Sequence, residues 1–363
     1  MKILISVINN ISTDQRVSKV CSSLKKHNFN INIIGTNLYG SPPLKKEYPA
    51  YRIPLIFNKS FLLFAEFNIK LFWRLLLRTD KNTILASNDL DSLLPNYLVS
   101  KIKKVPLVFD SHEIYSELPS IQGRYSQKVW KLLEKFLIPR INSFYTVSNG
   151  YASYFYKTYN KKPTVINNAP YFYYKELNEC NASKIIIYQG VLKEGRGLIH
   201  LIHAMALLPQ FKLWIVGTGL YENRLKTLVR DLKLNNIDFL GHKLPEELKI
   251  ITPQASLGVS LEENCGLSYY YSLPNKVFDY IHSGIPIVGT FLPEIKSVIE
   301  ENQIGEVIIN HEASEIAKKI RLVMQNGKKF YQYNLRKAAE KYCWENQENK
   351  LIDIYLRASN SDK

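Results

Sequence analysis

Three short stretches hold residues whose types and spacing suit chemistry on an anionic, hydroxyl-bearing ligand. In SLPNKVFDYIHSG (272–284), Ser272 or Asn275 can cap a helix whose first turn Pro274 suits and which Gly284 ends. At helical spacing Val277, Phe278 and Ile281 share one face and Asn275, Asp279 and His282 the other. The start of such a helix, with Lys276 beside it, offers unpaired N–H groups and a positive dipole end to a phosphate. A carboxylate one turn on, at Asp279, can accept hydrogen bonds from sugar hydroxyls. In GVLKEGRG (190–197), Gly190 lets the backbone come close to a phosphate, Lys193 adds a cation, and the Arg196 guanidinium can clamp a diphosphate through two hydrogen bonds.

The third stretch is VFDSHE (108–113). Here His112 follows a strand, at the edge where parallel sheets bind ligands, with Glu113 beside it. Weaker candidates are Asp14 and Arg16 after the first strand, Asp89 and Asp91 after ILASN, the GTG turn with Gly217 and Gly219, and His242 after IDFLG. Taken singly each has a bland reading: a solvated face for Asp279, a surface cation for Arg196, a structural histidine for His112.

The elements that must position these residues read as alternating β-rich runs and helical patterns, the mark of parallel sheets built from βαβ units. KILISVI, NINIIGT, NTILASN, PLVFD, SFYTVS and PTVINN form a first set of strands. A polar, aperiodic tract at 175–183 reads as a linker, and KIIIYQG, FKLWIVGTG, IDFLGH, ASLGVSL, IPIVGT and GEVIIN form a second set. The fold class is α/β: two doubly wound, Rossmann-like domains facing a central cleft. The expected bounds are 1–174, with a terminal helix at 345–363 packing back on it, and 184–344.

A chain of 363 residues is long enough for two cores. Its 48 Lys and Arg against 32 Asp and Glu favour anionic partners, but the cations are scattered and form no nucleic-acid module. Cys21, Cys180, Cys265 and Cys343 lie far apart, which fits a reducing compartment and gives neither a zinc nor a disulfide pattern. With no signal-like start and no apolar run near the ~20 residues of a span, the expected location is the cytoplasm. FLLFAEFNIKLFWRLLLR (61–78) mixes Phe, Leu and Trp with Lys70, Arg74 and Arg78, so it reads either as a partly buried domain helix or as one that lies on an anionic membrane.

YSLPNKVFDYIHSGIPIVGT resembles the donor-site segment of retaining glycosyltransferases of the GT-B fold, glycosyltransferase family 4 or glycosyl transferases group 1. YQGVLKEGRGLIHLIHAMALLP, KLWIVGTGLYENRL and DFLGHKLPEEL match further segments of that domain, and NDLDSLLPNYL, VFDSHE, YTVSNG and VINNAP match the first domain, all in order. The resemblance implies that Asp279 holds a ribose, that Arg196 takes the place of the family's phosphate-binding lysine, and that His242 borders the base. It places His112, Glu113 and Arg196 in catalysis, with Gly190, Lys193, Gly217, Gly219, Tyr271, Ser272, Asn275 and Lys276 around the donor. Asp14, Arg16, Asp89 and Asp91 fall on the acceptor side. Two departures stand out: the family's first paired glutamate falls at Tyr271, with Glu262 and Glu263 too far upstream to be assigned, and its companion arginine falls at Val191.

The implied reaction transfers a sugar from a nucleotide-sugar to a saccharide or lipid-linked saccharide acceptor. Retention is expected, with no cofactor and no metal, in assembly of a cell-surface polysaccharide or glycoconjugate. A nucleotide-sugar epimerase of the same fold, or a membrane-associated scaffold without activity, are the competing readings.

Overall fold

The computed structural model describes residues 1–12, 14–36, 48–57, 60–175 and 184–360, so the expected linker lies, apart from Lys175, outside the described residues. The chain divides into two compact units, Met1–Asn168 with Asn346–Lys363, and Ala169–Glu345.

Unit 1 is a seven-stranded sheet of β1 (Lys2–Ser6), β2 (Asn30–Thr36), β3 (Ala50–Ile53), β4 (Thr83–Asn88), β5 (Leu107–Ser111), β6 (Ser143–Thr146) and β7 (Thr164–Val165), in the order β3-β2-β1-β4-β5-β6-β7. Every neighbouring pair is parallel. Its helices are α1 (Gln15–Lys26), α2 (Ser60–Arg78), α3 (Leu90–Lys103), α4 (Tyr125–Leu137) and α5 (Asn149–Tyr159). All six residues of β4 are buried, as expected of a central strand covered on both faces. Phe67, Leu71 and Leu75, four residues apart along α2, pack with Leu4, Ile34, Leu85 and Val99. The edge strand β3 had no clear signal in the sequence. AYRI is four residues long, has one buried position and pairs with β2 alone, so it carries neither a run nor an alternation.

Unit 2 has a six-stranded, all-parallel sheet in the order β10-β9-β8-β11-β12-β13. Its strands are β8 (Ile185–Gln189), β9 (Lys212–Val216), β10 (Ile237–Gly241), β11 (Leu257–Ser260), β12 (Ile287–Gly289) and β13 (Gly305–Val307). They alternate with α6 (Leu198–Ala206), α7 (Glu222–Asp231), α8 (Pro245–Ile251), α9 (Leu267–Tyr270), α10 (Asn275–His282), α11 (Pro293–Asn302) and α12 (Ala313–Lys341). One apolar core joins Ile187, Leu201, Ile215, Val259, Phe278, Ile287 and Ile316. The last helix, α13 (Glu345–Asn360), returns to unit 1: Lys26 meets Glu348, Gln347 Oε1 accepts from Asn167 N, and Tyr355 sits by Phe29.

In each sheet the strand order reverses once, between β1 and β4 and between β8 and β11. Loops leaving the carboxyl ends of such a strand pair diverge and open a crevice, the usual ligand site of doubly wound sheets. The loops after β8 and β11 therefore mark the site in unit 2, and those after β1, β4 and β5 the site in unit 1.

Candidate active site

The loop after β8 carries Gly190, Lys193 and Arg196. It is pinned from beneath by the GTG turn, because Gly190 N donates to Val216 O and Leu192 N to Thr218 O, at 2.9 and 3.0 Å. Gly217 adopts φ +137°, and a Cβ there would stand 1.9 Å from Gly190 O; a Cβ on Gly219 would stand 2.2 Å from Leu192 O. These two glycines, expected around the ligand, instead let two backbone segments touch. Arg196 and Lys193 both lie over the Tyr269 ring, 5.1 and 5.4 Å from its centroid.

The loop after β11 brings in a residue that the sequence reading left unassigned. Glu262 is fully buried; its Oε2 accepts from Ser260 Oγ at 2.6 Å, and its Oε1 lies 2.8 Å from Lys276 Nζ and 3.4 Å from Arg196 Nη1. Burial alone would raise this carboxyl, and Lys276 and Arg196 outweigh it, so it stays below the usual carboxylate range. Lys276 shows the reverse. Burial draws it down and Glu262 only partly restores it, leaving it at about 8. Glu263 closes the loop against its neighbour: its carboxylate accepts from Gly197 N and its own N–H donates to Gly195 O, each at 3.1 Å. The available signal was position, since both acids directly follow the strand at the sheet's switch point.

The helix α10 begins as expected but not by the expected cap. Pro274 holds the cap position without a side-chain cap bond, and Ser272 Oγ donates to Tyr269 O at 2.9 Å, so neither Ser272 nor Asn275 caps the helix. Asp279 is half-buried and its Oδ2 accepts from Gln189 Nε2 at 2.8 Å, which fixes the carboxylate beside the end of β8. His282 departs from the polar face assigned to it. It is fully buried, with ring nitrogens 2.6 Å from Tyr173 O and 2.9 Å from Tyr342 O, and so ties two chain segments together. Tyr271 lies between α9 and α10 with its ring edge-on to Tyr270, and His242 is exposed after β10.

In unit 1, His112 Nε2 is 2.9 Å from Asp110 Oδ2, Nδ1 is 3.3 Å from Asp89 Oδ2, and its backbone N–H donates to Asp89 Oδ1 at 2.8 Å. Burial would lower this imidazole; the charges of Asp110 and Asp89 overcome that and raise it to about 9. With both nitrogens facing carboxylates, the ring is a held cation, not a base waiting for a proton. Glu113 is exposed, and Asp110 and Asp89 orient the ring.

Arg16 is not an acceptor contact. It is 4% exposed, grips Asp110 through Nε and Nη2 at 2.9 and 2.8 Å, and spends Nη1 on Ile166 O. Asp91 is buried in the first turn of α3, where burial and the charge of Asp89 push its carboxyl well above the usual range. Asp14 caps α1 by accepting from Val17 N at 3.0 Å. Of the four residues expected on the acceptor side, Arg16, Asp91 and Asp14 are thus engaged within unit 1, while Asp89 holds the His112 ring.

Unit 2 thus gathers cations at the switch point of a doubly wound sheet, with a carboxylate one turn into the adjoining helix. Residues 173–342 match the family described as glycosyl transferases group 1. A stretch of 140 residues, 37% of the chain, is 25% identical to the putative colanic acid biosynthesis glycosyltransferase WcaL of Escherichia coli K12 and spans 34% of that relative, about a third of its length.

Solved structures share the GT-B fold over nearly the whole chain. Sucrose-phosphate synthase from Thermosynechococcus elongatus superposes with a TM-score of 0.83 at 15% identity, covering 98% of both chains. Anabaena HepE, solved in complex with UDP and glucose, gives 0.77 at 16% identity over 98% of this chain and 100% of its own. WaaG, a glycosyltransferase of lipopolysaccharide biosynthesis, gives 0.73 at 14% identity over 97% and 99%.

Proposed function

We propose that the chain transfers a sugar from a nucleotide-sugar to an acceptor hydroxyl, with retention at the anomeric carbon and without a metal, in assembly of a cell-surface polysaccharide or glycoconjugate. The observation that carries this reading is the meeting of the Arg196 loop and the start of α10 at the switch point of unit 2, with Asp279 one turn further on. Arg196, Lys276 and the uncapped N–H groups of α10 suit a diphosphate, and Asp279 suits the ribose. As the bond between sugar and diphosphate breaks, its electron pair passes to the phosphate oxygen, and these groups balance the charge that builds there. In unit 1, the His112 cation and Asp89 suit the hydroxyls of a sugar.

The acceptor is proposed to be a saccharide or lipid-linked saccharide presented at the cytoplasmic face of a membrane. Among the described residues no helix is long and apolar enough to cross a membrane. While one face of α2 is in the core, Leu62, Ile69, Trp73 and Leu77 form an exposed stripe on it, with Trp73 58% and Leu77 82% exposed. Such a stripe on a cationic protein suits an anionic bilayer.

The test incubates purified protein with a panel of UDP-, GDP-, ADP- and CMP-sugars, with and without EDTA, scoring thermal stabilisation and nucleotide release in the presence of saccharide acceptors. Stabilisation by one donor and acceptor-dependent release, unchanged by EDTA, is expected. Conversion of the donor to an epimer without an acceptor would favour the epimerase instead, and no stabilisation by any donor refutes the reading.

A further inference from the structure

A buried carboxylate shared by two cations is costly unless every charge in it has a use. Glu262, Arg196 and Lys276 come from three different segments, the loops after β11 and β8 and the first turn of α10, and meet at the crevice of unit 2. Among the described residues, Lys276 Nζ meets Glu262 and the Tyr188 ring, 4.1 Å from its centroid, and has no further hydrogen-bond partner. An ammonium carries three donors, so this buried group keeps hydrogens for something absent from the protein itself.

We propose that Lys276 is the second diphosphate cation of this enzyme, standing in for the cation absent at Val191, and that Glu262 is the positioning residue that keeps it charged and beside Arg196. The proposal rests on the nucleotide-sugar reading above and names how that site is held. Val191 is 58% exposed and carries no charge, and Lys193, the other candidate stand-in, lies over Tyr269 instead of reaching Glu262. A cation delivered from α10 also sits at a helix start, where the dipole already favours an anion.

Glu262 matters because the surroundings of Lys276 disfavour its proton. The groups facing it are Glu262 from the β11 loop, Arg196 from the β8 loop and the Tyr188 ring from β8; burial and Arg196 draw the lysine down, and Glu262 alone of these holds it up. Removing the Glu262 charge lowers Lys276 further, so the site loses a positive charge at neutral pH although the lysine is still present.

The experiment measures affinity for UDP, GDP and ADP, with uridine, guanosine and adenosine as controls, from about pH 6 to about pH 9. It uses wild type, Lys276→Met, Lys276→Arg and Glu262→Gln, each checked for folding by its thermal transition. Ratios to wild type at each pH cancel the titration of the nucleotide itself. For the diphosphate that wild type binds, Lys276→Met is expected to lose about 10- to 100-fold at all pH values below 8, with nucleoside binding unchanged. Lys276→Arg should keep the affinity and remove its decline above pH 8. Glu262→Gln should match Lys276→Met near pH 8 and recover towards wild type near pH 6, a pH dependence that a merely structural role does not produce. Wild-type binding with Lys276→Met unaffected, or a Glu262→Gln loss that is the same at every pH, overturns the proposal alone. Absence of wild-type binding to all three diphosphates overturns it together with the nucleotide-sugar reading on which it rests.

Discussion

Raising the pH past 9 removes a proton that helps hold unit 1 together. In the folded chain His112 titrates at about 9 against an ordinary value of 6.5, since Asp110 and Asp89 outweigh its burial. A folded-state value raised in this way contributes stability that is complete below about pH 6.5 and is lost as the pH climbs through about 9. At ~1.36 kcal/mol for each pH unit of that gap, the contribution is about 3 kcal/mol. The lowered carboxyl of Asp110 reflects the same pairing and is not counted twice. Urea unfolding of wild type and His112→Asn at about pH 6 and about pH 10 should show the wild-type advantage shrinking by about 3 kcal/mol between the two. Histidine Cε1 NMR gives the site directly: the resonance missing in His112→Asn should titrate near 9, and Asp110→Asn should move it down by a unit or more. A wild-type midpoint near 6.5, or an advantage that does not change with pH, refutes the argument that two carboxylates hold the ring as a cation.

Other perturbations test the remaining contacts. Arg16→Met leaves Asp110 buried beside His112 without its two-point partner and should destabilise unit 1 by about 3–5 kcal/mol in urea unfolding, with no gain or loss in acceptor specificity. Gly217→Ala pushes a methyl towards Gly190 O and should weaken nucleotide binding at least about tenfold by calorimetry, whereas Gly241→Ala, at φ +68° with nothing within 4 Å, should cost only about 1 kcal/mol of stability. Glu134 is buried beside Ser116, Tyr154 and Tyr159, and burial raises it to about 7. As a raised acid it favours the folded state most below about pH 4.5 and progressively less as the pH climbs through about 7. Glu134→Gln should therefore be more stable than wild type near pH 8, by about 2–3 kcal/mol in urea, and lose that advantage near pH 5. Replacing Trp73 and Leu77 together by serine should reduce flotation with phosphatidylglycerol vesicles at least about tenfold and leave nucleotide binding intact.

The doubly wound class, most strands and the order of the motifs were legible in the chain itself, because burial on both faces writes parallel strands as short β-branched runs that need no partner to be recognised. IIIY, KLWIV and TILASN announce β8, β9 and β4, and the pattern of Val277, Phe278 and Ile281 announces α10 and the face it buries. The placement of Arg196 in a loop between strand and helix and of Asp279 in α10 was legible too, since both are local features.

What only the tertiary structure decided is which charges meet. Glu262 and Lys276 are separated by α9 and a turn, so no spacing rule joins them; the sheet order puts the ends of β8 and β11 side by side, and that brings Glu262, Arg196 and Lys276 together. The same holds in unit 1. Arg16 reads as a loop cation until β1 and β5 are placed in one sheet, whereupon its guanidinium is spent on Asp110. His282 reads as solvated until Tyr173 and Tyr342 close over it. Periodicity along a chain reports which side of an element is buried. The partner of a buried charge is set by long-range pairing, which one-dimensional spacing does not record.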